Sequence, residues 1–193
     1  MKKGREMKAV NRKNLVLASF FCVLTCVLAQ ISLPILVVPF NLALIGVCLA
    51  GEMLPVRFAV LSMVAYWILG FIGIPVFSGM KSGFSVALGP TGGYLFGYVI
   101  MAGVLAFATK CRYQILSWMM RLVALSLCYT LGVAWFIMMT NTSFRIALSI
   151  GVYPFIWIDL MKLLTAYILA KTLKVYYKQE CFFVSRYDDV LSK

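Results

Sequence analysis

Between residues 14 and 175 the chain is a near-continuous succession of apolar stretches joined by short polar connections. No other feature constrains the fold as much. A bilayer-spanning helix needs roughly 20 apolar residues, and the pattern predicts six: Asn14–Ile31, Val38–Gly51, Pro55–Gly73, Gly92–Thr109, Leu116–Met139 and Leu148–Val175. The second is short enough to be tilted or broken. Composition agrees: 63% of 193 residues are hydrophobic, 12% are charged, and the mean hydropathy is +0.97. A chain this small cannot hide so much apolar surface in water, and soluble domains carry about twice this share of charge. The expectation is an all-α integral membrane protein of one domain, 1–193. It divides into a basic N-terminus (1–13), a six-helix bundle (14–175) and a tail (176–193). The first apolar run lacks a small-x-small cleavage site, so it reads as a retained helix and not as a signal peptide.

Charge orients the bundle. Loops on the cytoplasmic side carry the excess Lys and Arg. With both termini inside, fifteen of the 18 cations fall inside, among them Arg57, Lys110, Arg112 and Arg121. Only Lys81 and Arg145 fall outside, and Lys162 lies within the last span. The net charge of +12 is then explained by topology and by attraction to anionic membrane lipid. Nucleic acid is not an expected partner, since no soluble domain remains to carry it.

The chemistry is narrowed by what is missing. The sequence has no histidine, which removes the usual general base and the commonest metal ligand. Six scattered cysteines form no C-x-x-C pair and read as small packing residues, so neither a metal nor a cofactor is expected. There is no G-x-x-x-x-G-K-[ST] phosphate loop, so ATP is not hydrolysed by this chain's own P-loop. An enzyme is not expected.

Polar groups inside the apolar stretches are few. Glu52 falls in a short turn close to Arg57, which leaves Asp159 as the one acid within a span. Lys162 follows three residues later on the same helix face. Charges in hydrocarbon are costly and mark ligand or ion sites by default. If the last helix starts near Pro154, a residue tolerated in a first turn, both groups lie in the outer half of the bilayer. The long connection between the third and fourth spans lies on that outer side as well. It is rich in glycine (Gly79, Gly83, Gly89, Gly92, Gly93) and carries Phe77, Phe84 and Tyr94. Loops this long tend to be lids or binding loops. A glycine-rich lid over one carboxylate and one ammonium reads as a small-molecule site entered from outside. Small residues also recur at helical spacing. Gly93 and Gly97 suit packing within the bundle, whereas Ala18, Cys22 and Cys26 suit packing or docking to another protein equally well.

The stretch Gly73-Ile-Pro75-Val-Phe77 … Gly89-Pro90-Thr91-Gly92-Gly93-Tyr94 … Gly97 resembles the signature of the BioY family, the biotin-binding S components of energy-coupling factor (ECF) transporters. Tyr153-Pro154-Phe155 … Asp159-Leu-Met-Lys162 looks like that family's final-helix motif. The similarity runs from about Leu15 to Lys174. It implies an S-component fold that captures biotin at the cytoplasmic membrane and passes it to a transmembrane coupling protein and ATPase subunits. By the same resemblance Asp159 accepts the ureido N–H groups and Lys162 meets the carbonyl. Phe77, Ser78, Lys81, Ser82, Gly83, Thr91, Gly92, Gly93 and Tyr94 complete the pocket, and Ala18, Cys22 and Cys26 dock the coupling protein. The chain departs from the family pattern at Ala43, where Gln is common, at Ser78-Gly79-Met80-Lys81, which lacks paired glycines and Asn, and at Cys22, where Ala is usual. Two alternatives stand beside this reading: a self-sufficient carrier driven by protonation of Asp159, and an S component for another small vitamin.

Overall fold

The computed structural model describes the backbone over residues 2–33 and 40–191, and side chains within 11–33 and 40–176. Helix α1 (Lys2–Gln30) leads into a two-residue antiparallel ladder of β1 (Ser32–Leu33) with β2 (Phe40–Asn41), pairing Ser32 with Asn41 and Leu33 with Phe40. Then follow α2 (Ala43–Met53), α3 (Val56–Ile72), the single turn α4 (Phe84–Ala87), α5 (Gly92–Ala108), α6 (Gln114–Thr140), α7 (Phe144–Gly151) and α8 (Ile156–Leu191).

The architecture is mostly helical, as expected, apart from the short β-ladder, and several boundaries have moved. The second stretch becomes helical only at Ala43, because Phe40 and Asn41 pair as a strand and Asn41 Oδ1 accepts the Ala43 N–H at 3.1 Å. An Asn that binds the backbone two residues on favours a turn over a helix interior. The start of that predicted span, Val38 and Pro39, lies outside the described residues. The last span is two helices: α7 and α8 meet at a bend of 47°. Pro154 lies in the break, where its missing N–H and fixed φ favour a new helix start. α8 then runs on through the predicted tail to Leu191, and α1 already begins at Lys2. By length and apolar content α1 and α6 can each cross a membrane, as can the α7–α8 pair taken as one broken span, while α2, α3 and α5 are shorter apolar helices of 11, 17 and 17 residues.

α2 is the axis of the packing. Nine of its eleven residues are buried, and its apolar side chains share a core with α1, α3, α5, α6 and α8. A helix apolar all round belongs inside. α5 lies close against α6 because Gly97 faces Cys128 and Gly93 faces Trp135, where an added Cβ would come within 2.8 Å and 2.3 Å of side-chain atoms. The packing reading of that G-x-x-x-G holds.

One pairing differs from expectation. Glu52 is in the last turn of α2, not in a turn beside Arg57, and it faces Arg121 of α6. The two form a forked ion pair: Arg121 Nε and Nη2 donate to Glu52 Oε1 and Oε2 at 2.6 and 3.0 Å. Arg121 Nη1 also donates to Ser117 Oγ, which donates to Ala108 O. The guanidinium lies over the rings of Tyr167 (4.7 Å) and Trp118 (5.4 Å). A helix packing across the bundle brings in a partner 69 residues away, which sequence adjacency hides. Asp159 is therefore not the only acid buried among the helices.

Candidate substrate-binding site

The last helix starts after Pro154, so Asp159 and Lys162 lie in its first two turns, both buried. Lys162 Nζ donates to Asp159 Oδ1 at 2.8 Å. From α6, the Tyr129 hydroxyl donates to Asp159 Oδ2 at 2.6 Å. From the β-ladder, Asn41 O accepts from Lys162 Nζ at 2.7 Å, and the Phe40 ring lies 4.2 Å from the ammonium. The pair is thus held from three directions by an aromatic hydroxyl, a main-chain carbonyl and a π face. Hydrogen bonds to ionised groups are shorter and stronger than neutral ones, and both charges gain from them here.

A cavity of about 260 Å³ opens over this pair. Asp159, Lys162, Tyr129, Asn41 and Phe40 line it together with Tyr66, Tyr98, Tyr94 and Phe155. The loop after α3 covers it, contributing Phe77, Ser78, Lys81, Ser85, Pro90 and Thr91. Phe77 anchors the loop. Its ring is buried edge-on to Tyr66, 5.6 Å between centroids, and sits where only a glycine at 70 leaves room. Further ties run from Phe77 N to Lys81 O (3.0 Å), Gly83 N to Gly70 O (2.7 Å) and Trp135 Nε1 to Gly89 O (2.9 Å). Ser78 Oγ is buried without a hydrogen-bond partner in the protein and lies in the cavity wall. Buried polar atoms in native proteins are almost always satisfied, so the bare Ser78 hydroxyl is a conspicuous polar group in an otherwise well-paired wall.

Of the sequence-predicted residues, Asp159, Lys162, Phe77, Ser78, Lys81, Thr91 and Tyr94 line one cavity. Tyr94 is there as wall: its hydroxyl is bound to Gly151 O at 3.1 Å. Ser82 and Gly83 belong to the covering loop without lining the cavity, and Gly92 and Gly93 instead pack against Ala87 O, Trp135 and Leu131 O. The stripe on α1 turns inward as well. Ala18 and Cys22 are buried at 2% and 4% exposure, and Ser62 Oγ of α3 donates to Ala18 O at 2.8 Å. Cys26 is half-buried. These small residues let α3 approach, so Ala18 and Cys22 present no surface to a partner. Sequence reasoning missed Tyr129, Tyr98, Tyr66, Asn41 and Phe40. The tyrosines' apolar setting made them look like core, and only Asn41, a polar residue between apolar runs, carried a signal.

Fold and cavity describe a bundle of apolar helices around a loop-covered pocket, an architecture shared with a solved membrane-transporter component. A solved structure, the S-component for biotin from an ECF-type ABC transporter, superposes with a TM-score of 0.76 at 22% identity, covering 86% of this chain and 93% of that one. The chain belongs to the BioY family, whose model matches residues 2–179. Among its relatives are the biotin transporter BioY of Thermotoga maritima, 36% identical over 165 residues, and a probable biotin transporter BioY of Pyrococcus horikoshii, 38% identical over 163. Each alignment covers 84% of this chain and 96% of the relative.

Proposed function

We propose that this chain captures biotin from outside the cytoplasmic membrane and is the substrate-binding subunit of an ATP-driven ECF-type transporter, performing no chemistry itself. One observation carries the reading: a buried carboxylate–ammonium pair, braced by Tyr129 and Asn41, under a lid whose Ser78 hydroxyl has no partner. Membership of the BioY family points to the same ligand. A cyclic urea suits the pair, because its N–H groups need an acceptor and its carbonyl a donor. Asp159 supplies the first. Lys162 supplies the second, since two of its three N–H bonds are already used by Asp159 and Asn41. The aromatic walls cover the bicyclic body, and Ser78 and Lys81 on the lid receive the carboxylate tail.

The proposed topology is six spans with both termini inside and the 74–91 loop outside, supported by the uneven distribution of Lys and Arg. On it, Asp159 lies about 4.5 Å and Lys162 about 9 Å along α8 from its outer start. The energy is left to partners, namely a transmembrane coupling protein and ATPase subunits. The decisive test is titration of purified protein in detergent with biotin, with thiamine and riboflavin as controls. Saturable binding of biotin alone is expected. Equal or stronger binding of either control would reassign the ligand. Robust biotin accumulation by the chain alone in liposomes, abolished by a protonophore, would replace the subunit with a carrier.

Two substitutions probe the cavity. Tyr129→Phe removes one donor from Asp159 and keeps the ring, so biotin affinity is expected to fall about three- to tenfold, the range for one hydrogen bond. Ser78→Ala is expected to weaken biotin by a similar factor. It should leave thermal stability unchanged or slightly raised, since the hydroxyl has no protein partner to lose. Isothermal titration and a melting curve on the same sample read both.

A further inference from the structure

Among the described residues, α1 contributes no side chain to the cavity wall, yet its last residue reaches the lid. Gln30 Nε2 donates to Pro75 O at 3.3 Å, and its Oε1 accepts the Met80 N–H at 3.0 Å. The same Nε2 lies 3.2 Å from Cys26 O in the preceding turn, which fixes the amide's direction. The two loop groups it binds bracket Val76–Gly79, the segment that carries Phe77 and Ser78 into the cavity. That segment is bent: Gly79 and Met80 both have positive φ, 73° and 59°. A non-glycine residue in that region is uncommon and needs surrounding bonds to hold it. Gln30 supplies one of them, at Met80 itself.

The same helix end does a second job. Immediately after Gln30 the chain enters β1, and Ile31 O accepts from Leu42 N at 3.2 Å. Through β2 this end also sets Phe40 and Asn41 against Lys162. Lid and floor of the cavity are therefore tied to one point, the end of α1.

We propose that Gln30 is a positioning residue for the lid: its amide clasps the loop on both sides of Phe77 and Ser78 and so sets how long a bound ligand stays. The effect is on dissociation more than on association, because the clasp closes over a site already formed by α6, α8 and the β-ladder. The retention half rests on the biotin reading above; the clasp itself does not.

The test uses full-length protein in detergent and two variants. Gln30→Ala removes both bonds. Gln30→Glu keeps the acceptor for Met80 N–H and loses the donor to Pro75 O. Lys81 is exposed on the clasped loop, so trypsin cleavage of the Lys81–Ser82 bond, followed by mass spectrometry of the ligand-free protein, reports release of the loop. Gln30→Ala is expected to be cut at least about tenfold faster than wild type, with Gln30→Glu between them. Biotin dissociation, followed by chase with excess unlabelled biotin, should quicken by a similar factor while the association rate changes less than about twofold. An unchanged cleavage rate in Gln30→Ala would overturn the clasp. Faster cleavage with unchanged biotin dissociation would overturn its role in retention. If wild-type protein binds no biotin, the ligand assignment fails while the cleavage comparison still decides the clasp.

Discussion

Asp159→Asn is expected to weaken biotin binding by at least about tenfold, measured by titration of the purified variant against wild type. Three effects add. The amide cannot offer two ionised oxygens to N–H donors, and hydrogen bonds to charged groups are worth roughly 1.5–3 kcal/mol. Lys162 loses its counter-charge at 2.8 Å while staying buried, which is costly for an ammonium. Tyr129, which donates to Oδ2 in the wild type, can be left with its O–H facing an amide NH2 that cannot accept it. Lys162→Ala should cost a comparable factor by stranding the carboxylate. The double variant Asp159→Asn/Lys162→Ala separates site from scaffold. If the two groups act as one unit on the ligand, the double variant loses little more than either single variant. Unchanged affinity in Asp159→Asn would remove the carboxylate from the site.

The chemistry of this pair was legible in the sequence because charge in an apolar helix is conspicuous and i, i+3 spacing leaves one geometry. The lid was legible for a similar reason, since an 18-residue glycine-bearing connection between apolar runs has few structural uses. Partners across the bundle were hidden. Tyr129, Asn41 and Gln30 meet their targets 30, 121 and 45–50 residues away, and no local pattern encodes a contact of that range. Glycines and alanines misled in one direction: Gly92, Gly93 and Ala18 suit a ligand, a partner or a neighbouring helix equally, because all three need close approach of the backbone. Burial alone separates them, and here it assigns them to helix packing. Boundaries failed where polar detail interrupts apolar periodicity, at Asn41 and at the bend around Pro154.

Arg121→Met is expected to destabilise the bundle by about 3–5 kcal/mol, the cost of leaving one member of a buried ion pair alone. Both side chains are almost wholly buried, so Glu52 would be left without its partner in a place where Ser117 and the indole and phenol rings give it little. The forked geometry also matters: Arg121→Lys retains charge but cannot meet both Glu52 oxygens and lie over Tyr167 at once, so it should recover only part of the loss. Replacing both partners, Glu52→Leu with Arg121→Met, should recover most of it, because paired removal leaves no stranded charge. The midpoint of thermal aggregation in detergent reads the series. A fall of roughly 10 °C is expected for Arg121→Met, and a much smaller one for the double variant. Neither residue lines the cavity, so biotin affinity measured on the folded fraction at low temperature should stay within about twofold of wild type. Loss of affinity in step with stability would mean that the pair shapes the cavity through α2. Equal instability of the single and double variants would mean that packing volume, not charge pairing, holds this end of the bundle together.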